Sequence, residues 1–457
     1  MNMEVNMENQ KKYLSFPQKL AYGSGDFASN FFYMLVSSFV MIYLTDAIGM
    51  NPGIIGTLIM ISKCLDGFTD VIFGRLIDKT HSKMGKARPW MFYSAFPLAL
   101  CLILMFMVPT GASSMVQYAY FFIFYTAANA LFYTANNISY ATLSALITKN
   151  DSERVSLGSF RYIFATAAAM IVMSITVLLV GQFGGGTAGW RMVAIIYSVV
   201  LIVFNSIAAL SCKELPEEEI TQGNSGAGTG AESFFDSLKA LFTNRYYLLL
   251  LAVYLLFYTS NNLGSSINVY YFQYVIGNTE IMGVLSMASM VMMIGLIFNP
   301  MLVRKFGMYK VNLVSYIVTT IVNVGLCAAA YAANLPMMIG LSFVRGITMA
   351  FLIGSLNALV AEVARNSFLK TGRHNEGMMF SCSSIGIKVG GGIGVAITGW
   401  ILSAVGYVGT AAEQSAAVIG AIKFIFGALP LILTILITIC LFFLNVEKEN
   451  ARLEGRK

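Results

Sequence analysis

Apolar residues run through this chain in long unbroken stretches, parted by short polar turns. A helix rises about 1.5 Å per residue, so about 20 apolar residues cross a hydrocarbon layer about 30 Å thick. No water inside that layer satisfies backbone N–H and C=O groups, which leaves only helices or closed barrels. Barrel strands are short and alternate in polarity; the stretches here do neither. Twelve spans are expected, the first six at about 20–44, 53–77, 90–109, 115–147, 157–183 and 191–212. The second six fall at about 245–277, 280–303, 311–332, 336–361, 376–405 and 415–445. Only 11% of the 457 residues are charged, against about 25% in a soluble domain. A soluble enzyme, a disordered chain and a disulfide scaffold are thereby excluded.

The fold class expected is an all-α integral membrane protein, its twelve helices in two pseudo-symmetric six-helix bundles. The longest polar stretch separates the two halves and includes the Gly/Ser-rich segment 223–230; such composition makes a solvated linker. The division expected is a segment 1–19, a bundle 20–212, a linker 213–244, a bundle 245–446 and a tail 447–457. Segment 1–19 leads into an apolar run too long for a cleavable signal. Loops on one side carry nearly all the basic residues, among them Arg75, Lys79, Lys83, Arg304 and Lys305; the opposite loops carry only Arg191. The positive-inside rule then puts both termini in the cytoplasm, with the chain in the inner (cytoplasmic) membrane. Each half also has a short basic turn after its second span, Gly74 to Pro89 in the first and Pro300 to Gly307 in the second. The net charge of +7 belongs to these loops, so nucleic acid is not an expected partner.

Chemistry has few candidates. The six cysteines form no CxxC pattern, and His81 and His374 sit in separate polar loops. No catalytic triad or zinc-type cluster is expected, and the chain is not expected to be an enzyme or to carry a cofactor. What stands out is charge within the spans: Asp26, Lys63, Asp66, Asp70, Arg161, Arg345 and Lys388, with Lys423 near an end. An ionisable side chain at the centre of a bilayer costs about 2.5–3.5 kcal/mol on insertion scales, so it marks a cavity or a partner.

Asp66 and Asp70 lie four residues apart in Lys63-Cys-Leu-Asp66-Gly-Phe-Thr69-Asp70, on one helix face. Two such carboxylates repel unless a cation joins them. A sodium ion or a proton would do, with Lys63 as partial counter-charge and Thr69 as a neutral oxygen; oxygen ligands suit a hard cation. A permanent salt-bridge cluster is the structural alternative. Asp26 follows Gly23 and Gly25, which admit close backbone approach. Its carboxylate can accept from sugar hydroxyls, and Tyr33 lies two turns on as a stacking ring. The alternative is a structural pair with Lys388 or Arg161, and Arg161 alone could reach the interface. Lys388 sits in a glycine-rich helix suited to bending. Asn136, Asn137, Tyr140, Asn261 and Asn262 are polar groups able to line a cavity or to hydrogen-bond between helices. Arg345 fits either a carboxylate partner or an anionic substrate such as a hexuronide.

Three stretches together resemble the glycoside–pentoside–hexuronide:cation symporters of the major facilitator superfamily. They are Gly25-Asp26-Phe-Ala with Tyr33 and Tyr43-Leu-Thr-Asp46; Asp66-Gly-Phe-Thr-Asp70 with Gly74, Asp78, Gly85 and Arg88-Pro89; and Lys388 in its glycine-rich helix. The resemblance implies a cavity between two bundles and alternating access. By position it makes Asp66 and Asp70 the cation-binding carboxylates, holding sodium if sodium is the coupling ion. It makes Asp26, Tyr33, Asn136, Tyr140, Arg161 and Lys388 substrate-site residues. Lys63, Asp78, Gly85 and Arg88 take gating or structural roles. The chain departs from the family's best-known member at Gly25, Thr69, Asn136 and Tyr140, where that protein has lysine, asparagine, aspartate and tryptophan. The function expected is cation-coupled import of a glycoside, pentoside or hexuronide by a monomer in the lipid bilayer, with sodium or proton as coupling ion. A lipid or lysolipid transporter of the same fold is the alternative.

Overall fold

The computed structural model describes residues 12–216, 244–371, 381–411 and 413–455. The linker residues 217–243, His374 and the side chain of Asp78, all named above, lie outside the described set. Every regular element among the described residues is helical.

Six long helical runs precede residues 217–243. Helix α1 (Phe16–Met34) opens where Ser15 N donates to Gln18 Oε1 at 2.9 Å, with Pro17 in its first turn. Two π-turns, Leu35–Phe39 and Tyr43–Ala47, carry it on to Ala47. Then come α2 (Pro52–Asp78) and α3 (Arg88–Met105). Next, α4 (Ser114–Thr126) continues through a π-turn at Ala127–Tyr133 into α5 (Thr134–Leu146). Helices α6 (Asp151–Gln182) and α7 (Gly186–Ser211) complete this half. The second half holds α8 (Arg245–Tyr271), α9 (Ile281–Ser286), α10 (Ala288–Phe306), α11 (Met308–Tyr331) and α12 (Leu335–Thr371). It continues with α13 (Ser381–Ile385), a π-turn at Gly386–Gly390, α14 (Gly391–Ala404), α15 (Ala416–Lys423), α16 (Leu429–Phe443) and the short α17 (Val446–Leu453).

Ten of the runs among the described residues are long and apolar enough to cross a membrane. Helix α2 and the run 114–146 are equally long but more polar, and they bear Lys63, Asp66, Asp70 and Thr134. Outward-facing side chains such as Phe68, Ile297, Ile321 and Phe442 are 59–73% exposed. So many bared large apolar groups suit lipid and not water.

The chain divides into two units: residues 1–50 with 61–228, and residues 51–60 with 229–457. In the first, α1 packs on α6 and α7, around a core that includes Tyr22, Met91, Tyr140 and Leu143. In the second, α12 packs on α10 and α11, and α8 on α14 and α16, around Tyr254, Tyr316, Leu352 and Ile437. The start of α2 joins this second unit because it lies on α14. Trp400 Nε1 donates to Thr57 Oγ1 at 2.9 Å, and a Cβ on Gly56 would come within 2.9 Å of Ala396.

The two basic turns serve one construction. In the first unit, Gly85 has φ +107° and is followed by the N-terminus of α3. Glu214, just past α7, accepts from Lys86 N (2.7 Å), Ala87 N (2.9 Å) and Arg88 N (2.9 Å). In the second unit, Gly307 has φ +84° at the start of α11, and Glu447 accepts from Met308 N (3.1 Å) and Tyr309 N (2.9 Å). Each glutamate satisfies helix N–H groups that have no partner in their own helix and places negative charge at the positive end of the dipole. A side chain at Gly85 would strike the Glu214 carboxylate at 2.4 Å. Arg88 completes the first junction by donating to Ala209 O (2.7 Å) and Leu210 O (3.2 Å), the last carbonyls of α7. In this structure Gly85 and Arg88 therefore join α3 to α7 within one unit.

Replacing Glu214 with alanine should lower the stability of the detergent-solubilised protein by about 2 kcal/mol, from the loss of charge-assisted caps. Glu214→Gln should lose less. Thermal unfolding of the purified variants measures both.

Candidate functional site

Burial of Asp26 follows from two glycines. A Cβ on Gly23 would meet the Phe164 ring at 2.6 Å, and one on Gly25 would meet the Tyr140 ring at 2.7 Å. Their absence lets α1 approach α6 and α5. At that crossing Arg161 Nε donates to Asp26 Oδ2 at 2.6 Å, and the two side chains are 28% and 13% exposed. The Arg161 guanidinium lies over the Tyr140 ring, 4.5 Å from its centroid. Tyr140 is itself fixed: its hydroxyl donates to Tyr22 O (2.7 Å), Tyr22 returns the bond to Tyr140 O (3.1 Å), and the rings stack at 4.6 Å. Arg161 is thus an ion-pair partner deep in the unit and does not reach for the interface. The pair keeps carboxylate and guanidinium edges partly open, an acceptor beside a donor. That suits vicinal hydroxyls.

Asn136 and Tyr140, expected to touch substrate, are both fully buried. Asn136 Nδ2 donates to Met91 O (2.8 Å) and Ser94 Oγ (3.0 Å), and Asn205 Nδ2 donates to Asn136 Oδ1 (3.0 Å). In this arrangement Asn136 joins α5 to α3 and α7, and Tyr140 supports Arg161 from beneath. The amide that α5 leaves exposed is Asn137.

The second centre lies on α2. Asp66 is 8% exposed, and Thr134 Oγ1 donates to its Oδ1 at 2.5 Å. Asp70, one turn on, is half-buried, as are Lys63 and Thr69. Thr69 Oγ1 donates to Asp66 O at 2.9 Å, which leaves its lone pairs facing outward from the helix backbone. Two carboxylates about 6 Å apart repel by about 3 kcal/mol at an effective dielectric constant of about 20. A cation or a proton at this pair relieves a cost of that order.

Thr134 is well placed for either. Its oxygen also lies 3.0 Å from Asn129 O, a carbonyl in the π-turn preceding α5. With Asp66 ionised, the hydroxyl donates to the carboxylate. With Asp66 protonated, the acid donates to Thr134 and the hydroxyl turns to Asn129. Both charge states keep every group bonded, as buried polar groups require.

Tyr133, the neighbour of Thr134, packs against the aromatic residues that end α1. Its ring stacks on Phe32 (5.1 Å) and on Tyr33 (6.3 Å). Its hydroxyl is within electrostatic range of Asp26, Arg161 and Asp66. Neither Tyr133 nor Thr134 was among the sequence candidates. The only available signal was a hydroxyl residue one turn before the asparagines of the same run.

Lys388 belongs to the second unit, in the π-turn between α13 and α14, and is half-buried. Gly386, Gly390 and Gly394 face α8, where Cβ atoms would meet Tyr254 at 2.3 Å, Leu255 O at 2.7 Å and Thr259 O at 2.4 Å. The glycines bring this helix onto α8, and the π-turn rotates Lys388 relative to the helices on either side. Such bulges recur at functional positions.

Charged side chains inside membrane-length helices mark a functional site. The family model for the MFS/sugar transport proteins matches residues 21–448, and the chain belongs to that family. It is 30% identical to the isoprimeverose transporter of Lactiplantibacillus pentosus over 448 residues, 97% of this chain and 91% of that one. It is 27% identical to an Escherichia coli (strain K12) protein put forward as a glycoside/cation symporter, over 92% of this chain and 90% of that one. Among solved structures, the nucleoside transporter NupG superposes with a TM-score of 0.63 at 15% identity, covering 93% of this chain and 98% of that one. A D-xylose-proton symporter gives 0.62 at 13% identity, covering 92% and 97%. These last two show the shared fold. The relatives are transporters, and this protein is a transporter and not an enzyme.

Removing Arg161 alone leaves a buried carboxylate without its partner. Arg161→Met should destabilise the protein by about 2–4 kcal/mol, toward the lower end of buried-pair losses because the pair is partly open. Adding Asp26→Asn should recover part of that loss. A double-mutant cycle by thermal unfolding reads the coupling.

Proposed function

We propose that this protein is a cation-coupled symporter that imports a sugar or glycoside across the cytoplasmic membrane, with both termini in the cytoplasm. The observation that carries the proposal is Asp66. It is buried, bonded to Thr134 and one turn from Asp70. It lies in the same unit as the Asp26–Arg161 pair. The relatives described as a sugar transporter and as a glycoside/cation symporter support the same reading.

The mechanism follows from charge. Without a cation, the like charges of Asp66 and Asp70 lie one turn apart in a low-dielectric site, which resists closing away from water. A sodium ion takes oxygens from Asp66, Asp70 and Thr69, or a proton settles on one carboxylate. Thr134 then shifts its hydrogen bond, and through Tyr133 the change reaches Tyr33 and Asp26. There Asp26 accepts from sugar hydroxyls, Arg161 donates to them, and Tyr33 offers a ring face. Asn137 supplies the amide first sought at Asn136. Each ligand raises the affinity for the other, as linkage demands. In this reading the carrier works as a monomer, because one chain carries every residue the reading uses.

Uptake into proteoliposomes tests this. Asp66→Asn and Asp70→Asn should each cut gradient-driven accumulation of a neutral glycoside at least about tenfold, from the loss of a charged ligand, while sugar exchange without a gradient persists. Accumulation undiminished in both variants would overturn the coupling role. Asp26→Ala should abolish exchange as well.

A further inference from the structure

The basic turn of the second unit gathers four cations. Arg304 and Lys305 stand in the last turn of α10, Lys310 is the third residue of α11, and Lys448 is the third of α17. All four are exposed, and among the described residues none of their side chains makes an ion pair or a hydrogen bond. They share one corner. Helix α10 ends at Phe306, the residue before Gly307, and Glu447 of α17 holds the first N–H groups of α11. Other cations on α12 and α17 are matched. Arg365 Nη2 lies 2.5 Å from Glu454, while Lys370 Nζ and Arg452 Nη2 lie 3.9 Å and 3.2 Å from Glu449. Glu362 accepts from Asn450 Nδ2 at 2.8 Å. The carboxylate left to face the four cations is Glu447, and both its oxygens are taken by helix N–H groups.

Helix dipoles account for half of this charge. The carbonyl end of α10 favours Arg304 and Lys305, but Lys310 and Lys448 stand in first turns, where the dipole is positive and disfavours a cation. Orientation in the membrane does not demand these positions either, because the positive-inside rule counts charge per loop and not per site. An anion from outside relieves both lysines. Apolar surface adjoins the charge. Phe306, Phe442 and Phe443 are exposed, and Tyr309 Oη donates to Phe442 O at 2.9 Å, which brings the end of α16 to the same corner. Lys305 Nζ lies 5.2 Å from the centroid of the Phe306 ring, a cation against an aromatic face. A ligand that fits both parts carries a negative head and an apolar tail.

We propose that this corner docks an anionic phospholipid, its phosphodiester held among Arg304, Lys305, Lys310 and Lys448 and its acyl chains lying on Phe306, Phe442 and Phe443. The guanidinium forks onto phosphate oxygens, and the three ammonium groups act as point charges around it. Clusters of basic residues beside a membrane helix draw acidic lipid head groups in this way. A soluble anion would leave the three aromatic rings unused. The site lies wholly within the second unit and uses no residue of the symport reading, so it stands or falls apart from it.

Native mass spectrometry of the purified full chain in detergent tests this, with phosphatidylglycerol titrated against phosphatidylcholine of the same acyl chains. Wild type should bind the anionic lipid about ten- to a hundredfold more tightly. The variant carrying Arg304→Gln, Lys305→Gln, Lys310→Gln and Lys448→Gln should bind the two lipids alike, and the pair Lys310→Gln with Lys448→Gln should fall between. The lipid-free melting temperature of that pair variant should be no lower than wild type, because each lysine leaves a positive helix end. Removing as many charges at the first unit's basic turn, by Arg75→Gln, Lys79→Gln, Lys83→Gln and Lys213→Gln, should leave most of the preference in place. No preference in wild type would overturn the proposal, as would an unchanged preference in the variant that lacks all four cations of the corner. An equal loss from the first-unit variant would reduce the effect to net charge and overturn it too. So would a lower melting temperature in the pair variant with the preference intact, which would make the lysines structural. Displacement of phosphatidylglycerol by equimolar inorganic phosphate or by a glutamate-rich peptide would give the corner to a soluble anion or an acidic protein and overturn the lipid assignment.

Discussion

A carboxylate in hydrocarbon survives only through the groups that bond to it, and here that constraint organises the first unit. Asp26 is held by Arg161, and Asp66 by the Thr134 hydroxyl. The difference is decisive. A full positive charge closes the first account within the protein. At the second centre a neutral hydroxyl bonds Asp66, and Asp70 stands one turn away. In the symport proposal the first centre offers hydrogen bonds to the sugar, and the second takes up the coupling ion.

The local backbone makes this difference usable. A π-turn at Ala127–Tyr133 places the Asn129 carbonyl within reach of the Thr134 hydroxyl and sets Tyr133 against Phe32 and Tyr33. One hydroxyl can then serve two acceptors according to the charge on Asp66. A regular α-helix would keep that carbonyl in its own ladder. The transport proposal thus comes down to a small, local exchange of hydrogen bonds between two polar centres in one unit, which is the kind of bistable element that switching requires.

Much of this was legible in the residues. Long apolar runs can only be membrane helices, and Asp26, Asp66, Asp70 and Lys388 announce themselves by being costly where they stand. The basic turns at Gly85 and Gly307 were visible as a repeat, but their purpose was not. It depends on Glu214 and Glu447, more than a hundred residues from each turn, and only folding brings them there. Asn136 and Asn137 differ by one position, and a helix turned by 100° per residue buries one and exposes the other. Periodicity interrupted by a π-turn could not say which. Thr134 was invisible for a related reason: a threonine in an apolar helix usually bonds its own backbone. The Asp26–Arg161 pair was one of two pairings the charges allowed, and the small residues at 23 and 25 decided between them by admitting α6 and Tyr140.

The central claim is that an ion at Asp66 and Asp70 and a sugar at Asp26 and Arg161 share free energy. It is tested most directly by titrating purified protein with sugar at several sodium concentrations and pH values, and with the ion at several sugar concentrations. The account predicts that each ligand tightens the other by one common factor, about 5- to 150-fold. A sugar affinity that stays constant across all sodium concentrations and pH values would contradict it.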